Sequence, residues 1–291
     1  MSYDFETISY GKWILAGEHA VLRGHPALVF PLKHKALTLQ YTPTTHPLIL
    51  NYAGENQNTC ESSIWTLLNA GLSKLQLAPT QLTGQLNITN HIPIGTGLGA
   101  SAAICVAITR WLKTYFEPNL NCFEFSRELE HVFHGKSSGL DVAGSMSTSD
   151  GIYFQAGTKK SFVPTWQPRW RLSYSGNPGI TSNCISKIEQ LKQNNPSLTD
   201  ALDLKMAHAV TQAHTALIQH NLSNLVGAIK DAASCFKDWG LINQPLEAHI
   251  NTLYAAGALA VKPTGSGEGG YVLSLWPDNL TPQPDFQWIQ L

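Results

Sequence analysis

The sequence predicts an α+β (mixed α/β) protein in two domains, the first over residues 1–160 and the second over 161–291. Three observations carry that expectation. At 291 residues the chain reaches the size at which a single hydrophobic core stops growing and chains divide. Its first half interleaves short strand-like runs with segments of helical periodicity. After Asp150-Gly151 the texture changes: 157–180 is rich in Trp, Pro and Gly, and the second half is mostly helical.

The elements are taken in chain order. Residues 8–42 read as three strands, Trp13-Ile14-Leu15, Ala27-Leu28-Val29-Phe30 and Ala36-Leu37-Thr38-Leu39, punctuated by glycine, proline and charge. Residues 62–77 are helix-like, with Ile64, Leu67, Leu68 and Leu72 on one side. Leu86-Asn87-Ile88-Thr89 is a short strand leading into a glycine-rich loop. The next helix places Ile104, Cys105, Ile108, Trp111, Leu112 and Tyr115 on one face. A further helix runs from about Cys122 to His134, turning Cys122, Phe125, Leu129, Val132 and Phe133 inward, with Gly135 as its C-cap. In the second half, one helix carries Leu202, Met206, Ala209, Val210, Ala213 and Leu217, and the next carries Leu222, Leu225, Val226, Ile229 and Phe236. A second glycine-rich run, Gly265 to Gly270, precedes the strand Tyr271-Val272-Leu273-Ser274-Leu275.

Composition excludes several function classes. A net charge of −1 without a lysine or arginine run argues against a general nucleic-acid binder. No apolar stretch approaches the ~20 residues a membrane helix needs, and the acidic start at Asp4 and Glu6 does not resemble a signal segment. Cys60, Cys105, Cys122, Cys184 and Cys235 are scattered without metal-like spacing and read as reduced packing residues, which predicts a cytoplasmic location.

The run Pro93-Ile94-Gly95-Thr96-Gly97-Leu98-Gly99-Ala100-Ser101-Ala102-Ala103 carries the most chemical information. Alternate glycines leave backbone N–H groups uncovered, and the helix after them points its positive dipole end at the same place. The run is neither a Walker loop nor a dinucleotide fingerprint. Alone it supports two readings equally: a turn that packs a helix onto a strand, or a cradle for phosphate. Elsewhere, Lys12 sits in an apolar context, where an ammonium needs an anion or a polar cleft. Glu18 and His19 come next, in a turn. Glu130 and His134 share a helix face, and Asp141 comes after the turn Gly135-Lys136-Ser137-Ser138-Gly139. Phosphoryl transfer needs an oxygen ligand for Mg²⁺ and a carboxylate beside the attacking hydroxyl. Taken singly, each of these reads better as a solvated surface or turn residue than as a site residue.

Taken together, the segments resemble the signature motifs of the GHMP small-molecule kinases. Gly11-Lys12, Gly17-Glu18-His19-Ala20-Val21 and Gly24 are similar to the opening of the mevalonate kinases within that family. His134-Gly135 with Ser138-Gly139-Leu140-Asp141 resembles their His-Gly-x-x-Ser-Gly-x-Asp segment, and Lys262-Pro263-Thr264-Gly265-Ser266-Gly267 the third family motif. The resemblance implies a ribosomal protein S5 domain 2-like N-terminal domain and a ferredoxin-like C-terminal domain. It implies ATP held by Pro93, Gly95, Thr96, Gly97, Leu98, Gly99, Ala100, Ser101 and Ala102, with Gly265 and Gly267. It implies Mg²⁺ on Ser101 and Glu130, Asp141 and Lys12 as catalytic residues, and an acceptor alcohol contacted by Lys12, Glu18, His19, Asp141 and Thr181. The implied reaction is ATP-dependent phosphorylation of the C5 hydroxyl of mevalonate. Alternatives are a kinase of the same family acting on phosphomevalonate, homoserine or a sugar, and a non-catalytic sensor on the same fold. The family often dimerises, which leaves a homodimer open.

This chain departs from the family pattern at four places. Tyr10 stands where proline is usual, Ala100 replaces the first of two serines, Ser266 replaces an alanine and Tyr271 a frequent cysteine.

Overall fold

A computed structural model of the chain describes residues 3–179, 181–280 and 288–291. The chain is mixed α/β and divides into two compact units, each assembled from separated stretches of sequence.

The first unit comprises Met1–Lys12, Pro31–Ile94 and Gly99–Ser147. Its strands come from β1 (Phe5–Ala16), β2 (Ala27–Pro47), β3 (Ile49–Ala53) and β4 (Thr83–Asn90). β2 pairs antiparallel with β4 from Leu37↔Asn90 to Thr42↔Gln85, and β3 pairs parallel with β4 from Ile49↔Gln85 to Ala53↔Thr89. Alternation buries Leu37, Leu39 and Tyr41 of β2 and Leu86 and Ile88 of β4 on one face. The helices are α1 (Gln57–Leu75), α2 (Ala100–Tyr115), α3 (Cys122–His134) and α4 (Leu140–Met146). α2 is the central one. Its residues Ala102 to Thr109, Trp111 and Leu112 are all buried, and α1, α3 and α4 pack around it. A helix apolar nearly all round belongs inside a core. Two bonds fasten β1 to α2: Ser9 Oγ donates to Ala103 O at 2.7 Å, and Arg110 donates to Ile8 O at 2.6 Å. Arg110 also reaches Met146 O at the end of α4, at 3.3 Å.

The second unit comprises Trp13–Phe30, Gly95–Leu98 and Thr148–Leu291. Here Ala27–Val29 of β2 pair antiparallel with β5 (Gly151–Gln155), which forms a hairpin with β6 (Thr158–Phe162). A second, antiparallel sheet has the order β10-β7-β9-β8, with β7 at Arg169–Tyr174, β8 at Ala260–Pro263, β9 at Tyr271–Trp276 and β10 at Trp288–Gln290. Its helices are α5 (Thr181–Asn194), α6 (Pro196–Gln219), α7 (Leu222–Asp238) and α8 (Gln244–Ala255). Leu202, Met206, Val210 and Leu217 of α6 and Leu225, Ile229 and Phe236 of α7 are buried, and the two helices pack on each other. Leu246 and Leu253 of α8 close a core over Val261, Val272 and Trp276 of the sheet.

Four local features differ from the sequence expectation. The second and third expected strands are one strand, β2, because Pro31 and the exposed Lys33 and His34 continue the extended chain instead of breaking it. The Trp/Pro/Gly-rich stretch contains strands β6 and β7. β3 is not among the expected strands; it is a five-residue strand that buries only Tyr52 and leaves Ile49 exposed. The seven-residue α4 contains Gly144 and Ser145 and is held by burial of Leu140, Val142 and Ala143 more than by propensity. No helix among the described residues is long and apolar enough to cross a membrane.

His19 shows how the second unit treats a polar side chain. It lies at φ 60°, 7% exposed, with Nε2 donating to Ser266 O at 2.8 Å. The rings of Phe236 and Trp239 meet it edge-on, at 5.8 and 5.6 Å. Burial pushes its pKa from 6.5 down to about 4, against a smaller opposing pull from the Ser266 bond. Between those values the unfolded chain binds the proton and the folded one does not, so His19 lets stability rise with pH through that window. As pH falls from 6.5 to 4, its contribution should drop by about 3 kcal/mol. Urea unfolding across this range should therefore show a flatter pH slope for His19→Gln than for the wild type. Parallel slopes would remove His19 as the cause.

Candidate active site

The glycine-rich loop is built differently along its length. Gly95 is exposed, and a Cβ there would meet nothing within 4 Å. Gly97 is at φ 85° with its face against the start of the second glycine-rich run, where a Cβ would come within 2.9 Å of Thr264 O. Only glycine permits that approach. Tyr271 N donates to Thr96 O at 3.1 Å, which fastens the same stretch. Gly265 faces Gly97 in return, and Gly267 packs against Leu241 and Phe236. Pro93 and Ile94 precede the loop, and Leu98 is fully buried beneath it.

Gly99 then caps α2 in the left-handed conformation without any side-chain cap. The first turn of a 16-residue helix thus presents its N–H groups and positive dipole end at Ala100, Ser101 and Ala102. Ala100 and Ala102 are buried, so the methyl at 100 packs inward, while Ser101 is half-buried.

In the first unit, Lys12 and Asp141 form an ion pair. Lys12 Nζ lies 2.9 Å from Asp141 Oδ2, with the lysine side chain 1% exposed and the aspartate 32%. Asp141 stands in the first turn of α4, where a carboxylate suits the helix dipole. Gly99 covers the lysine stem: a Cβ there would sit 2.8 Å from Lys12 Cγ. Glu130, on α3, is 2% exposed and accepts a hydrogen bond from Ser137 Oγ. Burial raises its pKa from 4.5 to about 8, the Asp141 charge adds to this, and Ser137 and Lys12 work against it. Its charge also helps raise the thiol of Cys105, one turn beyond Ser101 on α2, after burial itself. The His134 side chain lies outside the described part of the structure.

Ser101 and Glu130 offer hard oxygen donors, the chemistry that suits Mg²⁺. Glu130 is a buried carboxylate whose ionised form is short of compensating charge, so a divalent cation fits it. Among the described residues, no three of His, Cys, Asp and Glu come together as a metal cluster. Such a cation would have few protein ligands and take the rest from phosphates and water, as Mg²⁺ commonly does.

In the second unit, Glu18 and His19 are engaged by the segment Lys262 to Gly267. Lys262 Nζ donates to Glu18 Oε1 at 2.5 Å, with the two side chains 0% and 3% exposed. Thr264 Oγ1 accepts from Ile14 N at 2.8 Å and donates to Ile14 O at 3.1 Å. Thr181 begins α5 and is half-buried. Sequence reasoning gave no role of their own to Lys262 and Ser137. A lysine between apolar residues beside a glycine run, the context that singled out Lys12, also marks Lys262. Ser137 gave no signal, since turn serines are common.

Comparison with known proteins fits this arrangement. Residues 62–149, which hold the glycine loop, Glu130 and Asp141, match the GHMP kinases N terminal domain. The mevalonate kinase of Thermococcus sibiricus is 24% identical over 92% of this chain and 87% of its own. That of Archaeoglobus fulgidus is 26% identical over 91% and 90%. The crystal structure of L. major mevalonate kinase in complex with R-mevalonate shares the fold, with a TM-score of 0.76 at 23% identity, covering 94% of this chain and 88% of that one. The relatives aligned along nearly the whole chain and the shared fold agree with the match, and residues 62–149 carry a GHMP kinases N terminal domain.

Proposed function

We propose that the protein is an ATP-dependent kinase that transfers a phosphoryl group to the C5 hydroxyl of mevalonate, a step of isoprenoid biosynthesis in the cytoplasm. The observation that carries the catalytic reading is the Lys12–Asp141 pair, a buried ammonium aimed at a half-exposed carboxylate. The acceptor identity is supported by the relatives named mevalonate kinase. We assign residues 1–160 to the N-terminal domain and 161–291 to the C-terminal domain.

In this reading the loop Pro93–Ala102, with Gly265 and Gly267, holds the ATP phosphates through backbone N–H groups and the α2 dipole. Lys12, Glu18, His19, Asp141 and Thr181 hold the alcohol. Asp141 takes the hydroxyl proton as the oxygen attacks the γ-phosphorus and the bond to ADP breaks. Lys12 stabilises the negative charge that develops on that oxygen. Glu130 and Ser101 would hold Mg²⁺, which when bound neutralises charge on the phosphates. Little covalent help is needed, because most of the acceleration comes from positioning and electrostatics.

A coupled ADP-release assay over mevalonate, phosphomevalonate, homoserine and sugars tests the whole reading. Turnover should be fastest with mevalonate. Preference for another alcohol would replace the acceptor, and ATP binding without turnover on any of them would make the protein a sensor. Asp141→Asn should lower kcat by about 10²–10⁴-fold while ATP still binds, and near-wild-type turnover would remove Asp141 as the base. Ser101→Ala should lower kcat/KM for Mg²⁺-ATP by about a hundredfold. A loss no greater than that of a surface substitution would take Ser101 out of the phosphate site.

A further inference from the structure

The turn between α3 and the α4 cap contains a side chain that no motif assigns. Ser137 occupies a position that the His-Gly-x-x-Ser-Gly-x-Asp pattern leaves open. Its hydroxyl makes two bonds in opposite directions. It donates to Glu130 Oε2 on α3, and it accepts from Gly139 N at 3.0 Å. Gly139 is the cap residue of α4, the helix whose first turn carries Asp141. A single hydroxyl therefore joins one carboxylate to the backbone that carries the other.

The surroundings leave that turn little room. Gly139 rests on α3, where a Cβ would come within 2.8 Å of Phe123 Cζ and 3.1 Å of Arg127 Cδ. Phe123, Arg127 and Glu130 are spaced i, i+4, i+7, so they form one face of α3. The same face thus receives the turn twice, by packing at Phe123 and Arg127 and by the Ser137 bond at Glu130. The neighbouring Ser138 Oγ accepts from Leu140 N at 3.2 Å, so each serine secures a different residue at the start of α4. A buried Glu has several rotamers of similar energy, and a hydrogen bond to one oxygen selects among them.

We propose that Ser137 is a positioning residue: its hydroxyl fixes the Glu130 carboxylate for a divalent cation and locks it to the turn that sets Asp141. The inference rests on the reading of Glu130 as a metal ligand. Groups that orient a metal ligand from behind commonly cost 10–100-fold in metal affinity when removed, about what this bond should contribute.

The test uses Mn²⁺ as a paramagnetic probe on the full chain with a non-hydrolysable ATP analogue, its binding followed by electron paramagnetic resonance. Ser137→Ala should weaken Mn²⁺ binding by about 10–100-fold. Binding of the analogue without metal should stay unchanged. Ser137→Thr keeps the hydroxyl and should return Mn²⁺ binding towards the wild-type value. Glu130→Gln should weaken Mn²⁺ at least as much, and adding Ser137→Ala to it should cost little more, because both act through one carboxylate. Melting curves check that each variant is folded; should the alanine variant not fold, Ser137→Cys carries the same comparison. If Glu130→Gln weakens Mn²⁺ and Ser137→Ala does not, or if the alanine and threonine variants lose equally, the inference is overturned alone. If Glu130→Gln binds Mn²⁺ like the wild type, the metal-ligand reading falls and takes the inference with it.

Discussion

The first unit is organised around a lysine that water cannot reach. An ammonium buried to 1% exposure is tolerable only with a partner, and Lys12 has Asp141 at 2.9 Å. That requirement reaches outward through the structure. Asp141 must be presented by a helix, so the short α4 has to form despite weak propensity, and burial of Leu140, Val142 and Ala143 holds it. The strand bearing Lys12 must not slide, and Ser9 and Arg110 fasten it to α2. The lysine stem needs a neighbour without a side chain, and Gly99 supplies one. The cap of α2 is therefore also the roof over the lysine.

Glu130 and Asp141 stand in different surroundings. Glu130 is buried and within the field of Asp141, so its ionised form is disfavoured until positive charge arrives. Asp141 is a third exposed and has the ammonium beside it. One fold thus gives two carboxylates different surroundings, Glu130 buried and Asp141 a third exposed beside an ammonium.

Much of this was legible in the residue order. The spacing from Ile104 to Leu112 announced α2 and that from Cys122 to Phe133 announced α3, whose Phe125 and Leu129 are buried as expected while Val132 is exposed, and Gly135 marked its end. The apolar setting of Lys12 announced that it needed a partner, although only the fold shows that the partner is Asp141. What stayed hidden depends on packing. β2 runs unbroken through Pro31 and the Lys33-His34-Lys35 stretch because its neighbours hold it extended, which no local pattern encodes. α4 is too short and too poor in helix formers to show itself. Ser137 looks like any turn serine until the backbone brings Glu130 to it. The engagement of Glu18 by Lys262 depends on residues 244 positions apart.

That last separation bears on how the chain comes to be folded at all. Trp13–Phe30 belong to the second unit, yet the lysine that neutralises Glu18 and the threonine that satisfies Ile14 come at 262 and 264. A ribosome must release nearly the whole polypeptide before this part of the core can close. Until then the early segment carries a carboxylate and apolar side chains with nowhere to go, the state in which nascent chains aggregate or recruit chaperones. Its completion is thus a late event in the life of the chain, and loss of the segment from Lys262 onward would leave an open core at the beginning of the sequence.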